Sequence, residues 1–199
     1  MTWRVNKRYA VQYGVGFARA SPVFASCGLA SVGEIGDGDE TLRELIFANE
    51  TRSLEVRWVI DHFVEITVVI VSSDVADEVH EAGDCLCQGI ELFDILELAQ
   101  ISRQPDMVSW SFATRGLAAI STNYNGIAAE AIERGLADAR EDARRIALLA
   151  ISRVAWIEFG KVLRERIPTE TNEAIRDEMT VLADWLEKHG KRPTGYIDW

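Results

Sequence analysis

The fold is decided by residues 54–70, which read LEVRWVIDHFVEITVVI. The even-numbered positions from Leu54 to Ile60 are apolar, and the same alternation returns from Val64 to Ile70. A period of two residues is typical of a strand with one face in a core. Asp61-His62 separates the two runs, so the stretch predicts an antiparallel hairpin that turns at this pair.

Further elements flank the hairpin on both sides. Alternating apolar residues predict strands over 9–17, 23–29, 108–112 and 117–122. Apolar residues spaced by threes and fours predict helices over 40–48, 74–81, 85–100, 127–166 and 171–189. Strands early, helices late and helices between strand pairs indicate an α+β fold. We expect an antiparallel sheet of about six strands packed with helices, followed by a long helical C-terminal part.

The same order predicts the domain organisation. Residues 1–126 form a mixed α+β part with an acidic middle segment, and residues 127–199 form a helical part that packs on it. Asn123–Gly126 interrupts both periodicities and supplies the boundary. A length of 199 residues suits one compact domain made of the two parts.

Charge is distributed unevenly along the chain, whose formal net charge is −11. Residues 1–33 carry four basic and no acidic side chains, whereas residues 34–106 carry 18 acidic and four basic ones. Residues 107–199 are nearly balanced, with 14 acidic and 13 basic side chains. A middle segment of this sign repels nucleic acid and attracts basic partners, so we expect no direct nucleic-acid binding.

Eight carboxylates lie between residues 74 and 97 without an intervening lysine or arginine. They are Asp74, Asp77, Glu78, Glu81, Asp84, Glu91, Asp94 and Glu97. The spacing of the first four predicts one acidic helix face opposite Val75 and Val79. Acidic surfaces also serve solubility. We interpret the eight residues as a surface that covers a basic site on a protein partner, as small anti-defence and immunity proteins do with nucleic-acid-handling complexes.

The cysteines bear on the compartment of the protein. Cys27, Cys85 and Cys87 are an odd number, and one residue separates the last two. This is a poor disulfide framework, so we expect three reduced thiols and a cytoplasmic protein. The apolar runs fall well short of the roughly 20 residues that span a bilayer, so no membrane association is expected.

Two segments contain potential metal ligands. The denser group consists of His80, Glu81, Asp84, Cys85 and Cys87. Zinc sites usually place about two to four residues between cysteines and add a second ligand pair, and this group has neither. Asp37–Glu40 could hold a hard cation, but Thr41 and Leu42 stand where a calcium loop needs an oxygen ligand and glycine. Buried cysteines and helix capping explain both segments better, and we assign no metal or cofactor.

No catalytic motif is recognisable, so no catalytic residue is assigned. Gly14-Val15-Gly16 follows a strand, but Arg19 stands where a dinucleotide-binding fingerprint needs its last small residue. Asp61-His62 with Glu65 could serve a carboxylate-dependent hydrolase. Neighbouring residues of a strand or tight turn point in different directions, so the hydrolase stays an alternative to the binding protein.

The two ends of the sequence support further alternatives. The basic side chains of the first segment are Arg4, Lys7, Arg8 and Arg19. Near Tyr9 and Tyr13 they could contact nucleic acid, but both tyrosines follow the core alternation. The apolar end Gly195–Trp199 is predicted to pack on the body rather than anchor a partner. With the helical region 127–166, it supports a third hypothesis, an assembly or structural subunit of a homo-oligomer.

Overall fold

The computed structural model describes residues 5–36 and 42–191. The predictions made for Arg4, Asp37–Glu40 and Gly195–Trp199 lie outside the described residues.

The chain divides into two compact units. Met1–Leu96 is named here the sheet unit, and Glu97–Trp199 is named the helical unit. The boundary that the sequence predicts at Asn123–Gly126 falls within the helical unit.

The described strands of the sheet unit form one antiparallel sheet. They are β1 (Val5–Val11), β2 (Ala30–Ile35), β3 (Leu42–Ala48), β4 (Leu54–Asp61), β5 (Ile66–Ser73) and β6 (Leu92–Phe93). Their order across the sheet is β2-β3-β4-β5-β1-β6, and each neighbouring pair is antiparallel. The predicted α+β class and the antiparallel sheet of about six strands are confirmed.

The β4–β5 hairpin lies inside the sheet, between β3 and β1. The predicted hairpin is present, but its register places Asp61 opposite Ile66, so the turn lies at residues 62–65 rather than at Asp61-His62. The Asp61 Oδ1 accepts hydrogen bonds from the backbone N–H of Phe63 at 3.1 Å and of Val64 at 3.3 Å. Asp61 therefore shapes the turn through its carboxylate.

One face of the sheet carries an aromatic core that two helices cover. These helices are α1 (Phe17–Ser26) and α2 (Ala76–Cys87). The Phe24 ring of α1 stacks on Phe47 at 4.5 Å and meets Trp58 edge-on at 5.9 Å. Burial of such a side chain contributes about 1.5–3 kcal/mol to folding. The α1–sheet contact is therefore a substantial part of this core.

Helix α1 replaces the strand predicted over 23–29, and a turn before it replaces the second half of the strand predicted over 9–17. Phe17, Ala20, Phe24 and Cys27 follow spacings of three and four, and all four side chains are at least half-buried. The alternation over 23–29 is misleading because the small side chains of Ala and Cys are compatible with the two-residue period of a strand and with the roughly 3.6-residue period of a helix. Strand β1 accordingly ends at Val11.

Strand β3 replaces the helix predicted over 40–48. It pairs with β4 along its whole length, from Leu42 opposite Asp61 to Ala48 opposite Glu55. Phe47 packs in the aromatic core from this strand. Pairing on both sides, with β2 and with β4, outweighs the local helical spacing.

Helix α2 extends through the gap between the two helices predicted over 74–100. A Cβ at Gly89 would lie 2.6 Å from Val23 Cγ2, so the chain after α2 passes too close to α1 for a side chain there. The chain then forms β6, which pairs with the end of β1, before α3 begins.

The remaining helices belong mainly to the helical unit. They are α3 (Ile95–Ile101), which crosses the boundary, α4 (Met107–Ile120), α5 (Gly126–Leu136), α6 (Glu141–Val154), α7 (Glu158–Arg166) and α8 (Glu173–His189). Helix α6 contacts α4, α5 and α8. These contacts on several sides explain why α6 has apolar residues on more than one face. The helix predicted over 127–166 is divided into three, and Ala155 ends α6 with a positive φ of 55°.

Helix α4 replaces the strands predicted over 108–112 and 117–122. Its N-terminus is capped by Asp106, whose Oδ1 accepts a hydrogen bond from the Ser109 N–H at 2.8 Å. This bond lowers the pKa of Asp106 below its ordinary value. Trp110 and Leu117 are buried with their neighbours at helical spacing. The alternation over 108–112 arises only because Ser109 and Ser111 stand on either side of Trp110.

Candidate protein-binding surface

Helix α2 is amphipathic and contacts β1 and β5. Val79, Ala82 and Leu86 are buried on the side that packs against the sheet. A Cβ at Gly83 would lie 3.2 Å from Tyr9 Cζ and closer still to its hydroxyl. The absence of a side chain at Gly83 therefore lets the helix lie close to β1, and this packing fixes which residues face outward.

Three carboxylates lie on the outward side of α2. Asp77, Glu81 and Asp84 occupy positions i, i+4 and i+7, and all three are exposed. We name these three residues the α2 acidic surface. Within residues 5–36 and 42–191, none of the three forms an ion pair within 4.0 Å. The surface therefore presents negative charge to the solvent.

The other five predicted residues have different surroundings. Glu78 accepts hydrogen bonds from the Ser73 hydroxyl at 2.6 Å and from the Ser53 hydroxyl at 3.4 Å, which link it to the end of β5 and to the turn between β3 and β4. Asp94 accepts the Leu96 N–H at 2.9 Å. The remaining three, all exposed, lie before α2, after α2 and in α3: Asp74, Glu91 and Glu97.

Lys7 of β1 adds a positive charge near this region. Its Nζ lies 5.0 Å from the centre of the Tyr9 ring. Burial alone would lower the pKa of Lys7, but the Tyr9 hydroxyl and the carboxylates of Asp94 and Asp84 outweigh it and raise the pKa. Burial also raises the pKa of the Tyr9 phenol. Lys7 thus stays charged and offsets part of the potential near Asp84.

The prediction of three reduced cysteines is wrong. Cys27 and Cys85 form a disulfide with a Cα–Cα distance of 6.0 Å, and Cys87 is exposed and not part of the disulfide. The bond joins the C-terminal end of α1 to the last turn of α2. Its partners are 58 residues apart, so they meet because both helices lie on one sheet face, which cysteine spacing alone does not reveal.

The residues of the alternative sites differ in burial and in hydrogen-bond partners. Cys85 is committed to the disulfide, and His80 Nδ1 bonds the Ala76 carbonyl at 2.8 Å. No group of three potential metal ligands is found in the parts of the chain that the structure describes. His62 and Glu65 are exposed, whereas the Asp61 carboxylate is buried in its turn.

The N-terminal tyrosines differ from each other. Tyr9 is buried in the core, as its alternation predicts, whereas Tyr13 is 76 % exposed in the turn before α1. Arg19 is exposed on α1.

A buried ion pair in the helical unit was missed by the sequence reasoning. Arg144 of α6 donates to both carboxylate oxygens of Glu170, at 2.8 and 3.1 Å. Burial alone would raise the pKa of Glu170, but the Asn172 N–H and Arg144 outweigh it and lower the pKa. An arginine in the second turn of a helix normally faces solvent, so sequence spacing offers no signal for this pair.

Two recesses lie next to this pair and share Glu141 and Thr171. One of about 340 Å³ is lined by Arg144, Arg166 and Glu170 among others. The other, of about 620 Å³, is open and lined mainly by the start of α8. The Arg144 guanidinium and the Glu170 carboxylate, which line the smaller recess, bind each other. We therefore assign these two groups a structural role.

Comparison of the chain with protein-family models, with curated proteins and with solved structures finds no match. Function is therefore inferred from the chemistry of the chain's own surfaces. Among the described residues, no helix is both long and apolar enough to cross a membrane.

Proposed function

We propose that this protein is a non-catalytic binding protein that uses the α2 acidic surface to cover a basic site on another protein. The observation that carries the proposal is the exposure of Asp77, Glu81 and Asp84 on one side of α2 without an ion pair to the described residues. Complementary charge accelerates association and selects partners of opposite sign.

The position of these carboxylates has a stability cost that a purely structural role would avoid. Glu81 lies four residues after Asp77 and three before Asp84, so each neighbouring pair repels. Asp84 also lies toward the C-terminal end of α2, where the helix dipole favours positive charge and the last turn holds no basic residue. A docking role explains why acids occupy positions that destabilise their helix.

The class of partner follows from charge. Proteins that handle nucleic acids bind phosphates through clusters of Lys and Arg, which are complementary to an acidic helix. We therefore propose a nucleic-acid-handling protein as the partner, in the manner of anti-defence or immunity proteins. The α2 acidic surface then occupies the place of the phosphates.

The test compares two triple variants of equal total charge. The surface variant carries Asp77→Lys, Glu81→Lys and Asp84→Lys. The control carries Glu50→Lys, Glu133→Lys and Asp177→Lys, which change three scattered exposed acids. We measure binding to a short poly-L-lysine peptide and recovery of basic proteins from cell extract at low and high salt.

We expect the surface variant to lose peptide binding and partner recovery, and the control to retain most of both. Recovery by the wild type should fall with salt because screening weakens charge pairing. Equal behaviour of the two variants, or no basic partner for the wild type, would reject the proposal. Circular dichroism spectra verify that both variants are folded.

A homo-oligomeric assembly is a second candidate, and β2 favours it. This strand is exposed along its whole length at the edge of the described sheet, with Val32 and Ile35 about half exposed. An open edge can pair with the same edge of another copy. Light scattering that gives a monomer mass at high protein concentration would exclude this candidate.

A further inference from the structure

We propose that the Cys27–Cys85 disulfide is a redox-controlled clamp, meaning a bond that holds α2 against the sheet until a dithiol reduces it. Reduction then releases α2, so that the three carboxylates of the α2 acidic surface no longer share one helix face. The effect on partner binding rests on the proposed function. The release of α2 does not, because it concerns the sheet unit alone.

The bond is placed to control α2. Cys85 lies in the last turn of α2, next to Asp84 of the acidic surface, and Cys27 caps the C-terminal end of α1. Both cysteines are partly exposed, so a thiol reductant can reach them. The other anchors of α2 are its contact with β1 and β5 and the hydrogen bonds that Glu78 accepts from Ser73 and Ser53.

Helix α2 is weak without external support. It has 12 residues, a length at which isolated helices are marginal, and its N-cap position, Val75, provides no side-chain hydrogen bond. Its acids repel one another along the outer face. Its buried face consists of Val79, Ala82, Gly83 and Leu86, of which only Val79 and Leu86 have large apolar side chains. The apolar contact with the sheet therefore depends mainly on two side chains.

Helix α1 is weak for related reasons. Gly16 at its N-cap position provides no side-chain bond, and Pro22 inside the helix removes one backbone hydrogen bond. Its anchors in the aromatic core are Phe24 and the partly buried Phe17, whose rings both contact Phe47 and Trp58. The disulfide thus links a helix held mainly by two aromatic side chains to one held mainly by two apolar side chains.

The chemistry is a two-electron thiol–disulfide exchange. A thiolate of the dithiol attacks one sulfur of the Cys27–Cys85 bond, breaks it and forms a mixed disulfide. The second thiol then displaces the remaining protein sulfur. The dithiol leaves as an intramolecular disulfide, oxidised by two electrons, while Cys27 and Cys85 become thiols.

The test measures hydrogen exchange in the 199-residue chain carrying Cys87→Ser, a change that removes competing thiol–disulfide exchange at Cys87. The oxidised chain is compared with the chain kept in dithiothreitol. We expect the amides of residues 76–87 to exchange about tenfold faster or more after reduction, and those of β4 and β5 to stay protected. A second variant, Cys27→Ser with Cys87→Ser, should match the reduced chain whether or not reductant is present.

Two outcomes overturn the clamp. Equal exchange of residues 76–87 in both states shows that the sheet contact alone holds α2. Loss of protection in β4 and β5 as well shows that the bond supports the whole unit rather than one helix.

Binding of poly-L-lysine to the same samples separates the two proposals. Weaker binding by the reduced chain supports both. If residues 76–87 open and binding is unchanged, the clamp stands and the proposed function of the surface fails.

Discussion

Arg144 uses one side chain to hold three segments of the helical unit. Its guanidinium pairs with Glu170, and its Nη1 also donates to the carbonyls of Asp138 and Ala139 at 2.9 Å. Glu170 in turn accepts the N–H of Asn172, the residue that caps α8. The loop before α6, the segment after α7 and the start of α8 therefore share one charge network.

Removal of the Arg144 side chain should strongly destabilise the folded chain. We expect Arg144→Ala to destabilise the chain by about 3–5 kcal/mol, because it leaves the Glu170 carboxylate buried without its counter-charge. Urea unfolding followed by circular dichroism measures the change. Arg140→Ala serves as the control, since it removes an arginine from an exposed pair with Asp138 and should cost little. Comparable losses in the two variants would contradict the structural role of the network.

At the scale of the element, α2 should become more stable when one of its acids is reversed. Glu81→Lys replaces repulsion by attraction toward both Asp77 and Asp84, which should stabilise the helix by about 0.5 kcal/mol. The same change should weaken binding to poly-L-lysine, because it removes charge from the α2 acidic surface. Hydrogen exchange of residues 76–87 and peptide titration measure the two effects.

The control for this prediction is Glu50→Lys, which makes the same charge change in the turn between β3 and β4. It should alter neither the exchange of α2 nor peptide binding by a comparable amount. A destabilised α2 in Glu81→Lys would show that this glutamate has a structural role.

The elements divide into those that local patterns predict and those that packing decides. The β4–β5 hairpin was predictable because large β-branched and aromatic side chains alternate over two full strands. Helices α1 and α4 were not, since Ala, Ser and Cys fit both a period of two and a helical period. Strand β3 was not either, because its neighbours β2 and β4 override its helical spacing.

The candidate surface was predictable to a similar degree. The helix predicted over 74–81 accounts for the exposure of Asp77 and Glu81, but Asp84 lies in the gap between two predicted helices. Asp74 and the exposed Val75 precede α2, so the predicted face opposite Val75 is wrong in part. The hydrogen bond that Glu78 accepts from Ser73 depends on the geometry of the turn before α2, which spacing does not reveal. The Cys27–Cys85 bond depends on tertiary proximity, for which spacing carries no information.

At the scale of the whole molecule, the two units differ strongly in charge. Residues 1–96 contain 16 acidic and seven basic side chains, net −9, and residues 97–199 contain 16 and 14, net −2. A unit of large net charge is destabilised by self-repulsion, and salt screens this repulsion. The sheet unit should therefore respond to ionic strength more than the helical unit does.

We expect that raising NaCl increases the amide protection of β4 and β5 more than that of α6. Hydrogen exchange of the full-length chain at low and high salt measures both units in one sample. An equal increase of amide protection in the two units would mean that the general effect of salt on apolar burial dominates over charge screening. A larger gain in α6 would contradict the charge argument.

The position of β1 in the sheet has a consequence for biosynthesis. Val5 lies opposite Ser73, so β1 leaves the ribosome before its partner β5 has been translated. During that interval β2, β3 and β4 can pair as consecutive hairpins while β1 stays unpaired. Nascent chains that stop before Ile66 should therefore expose β1 to chaperones and proteases, whereas chains that extend past Ser73 can pair β1 with β5.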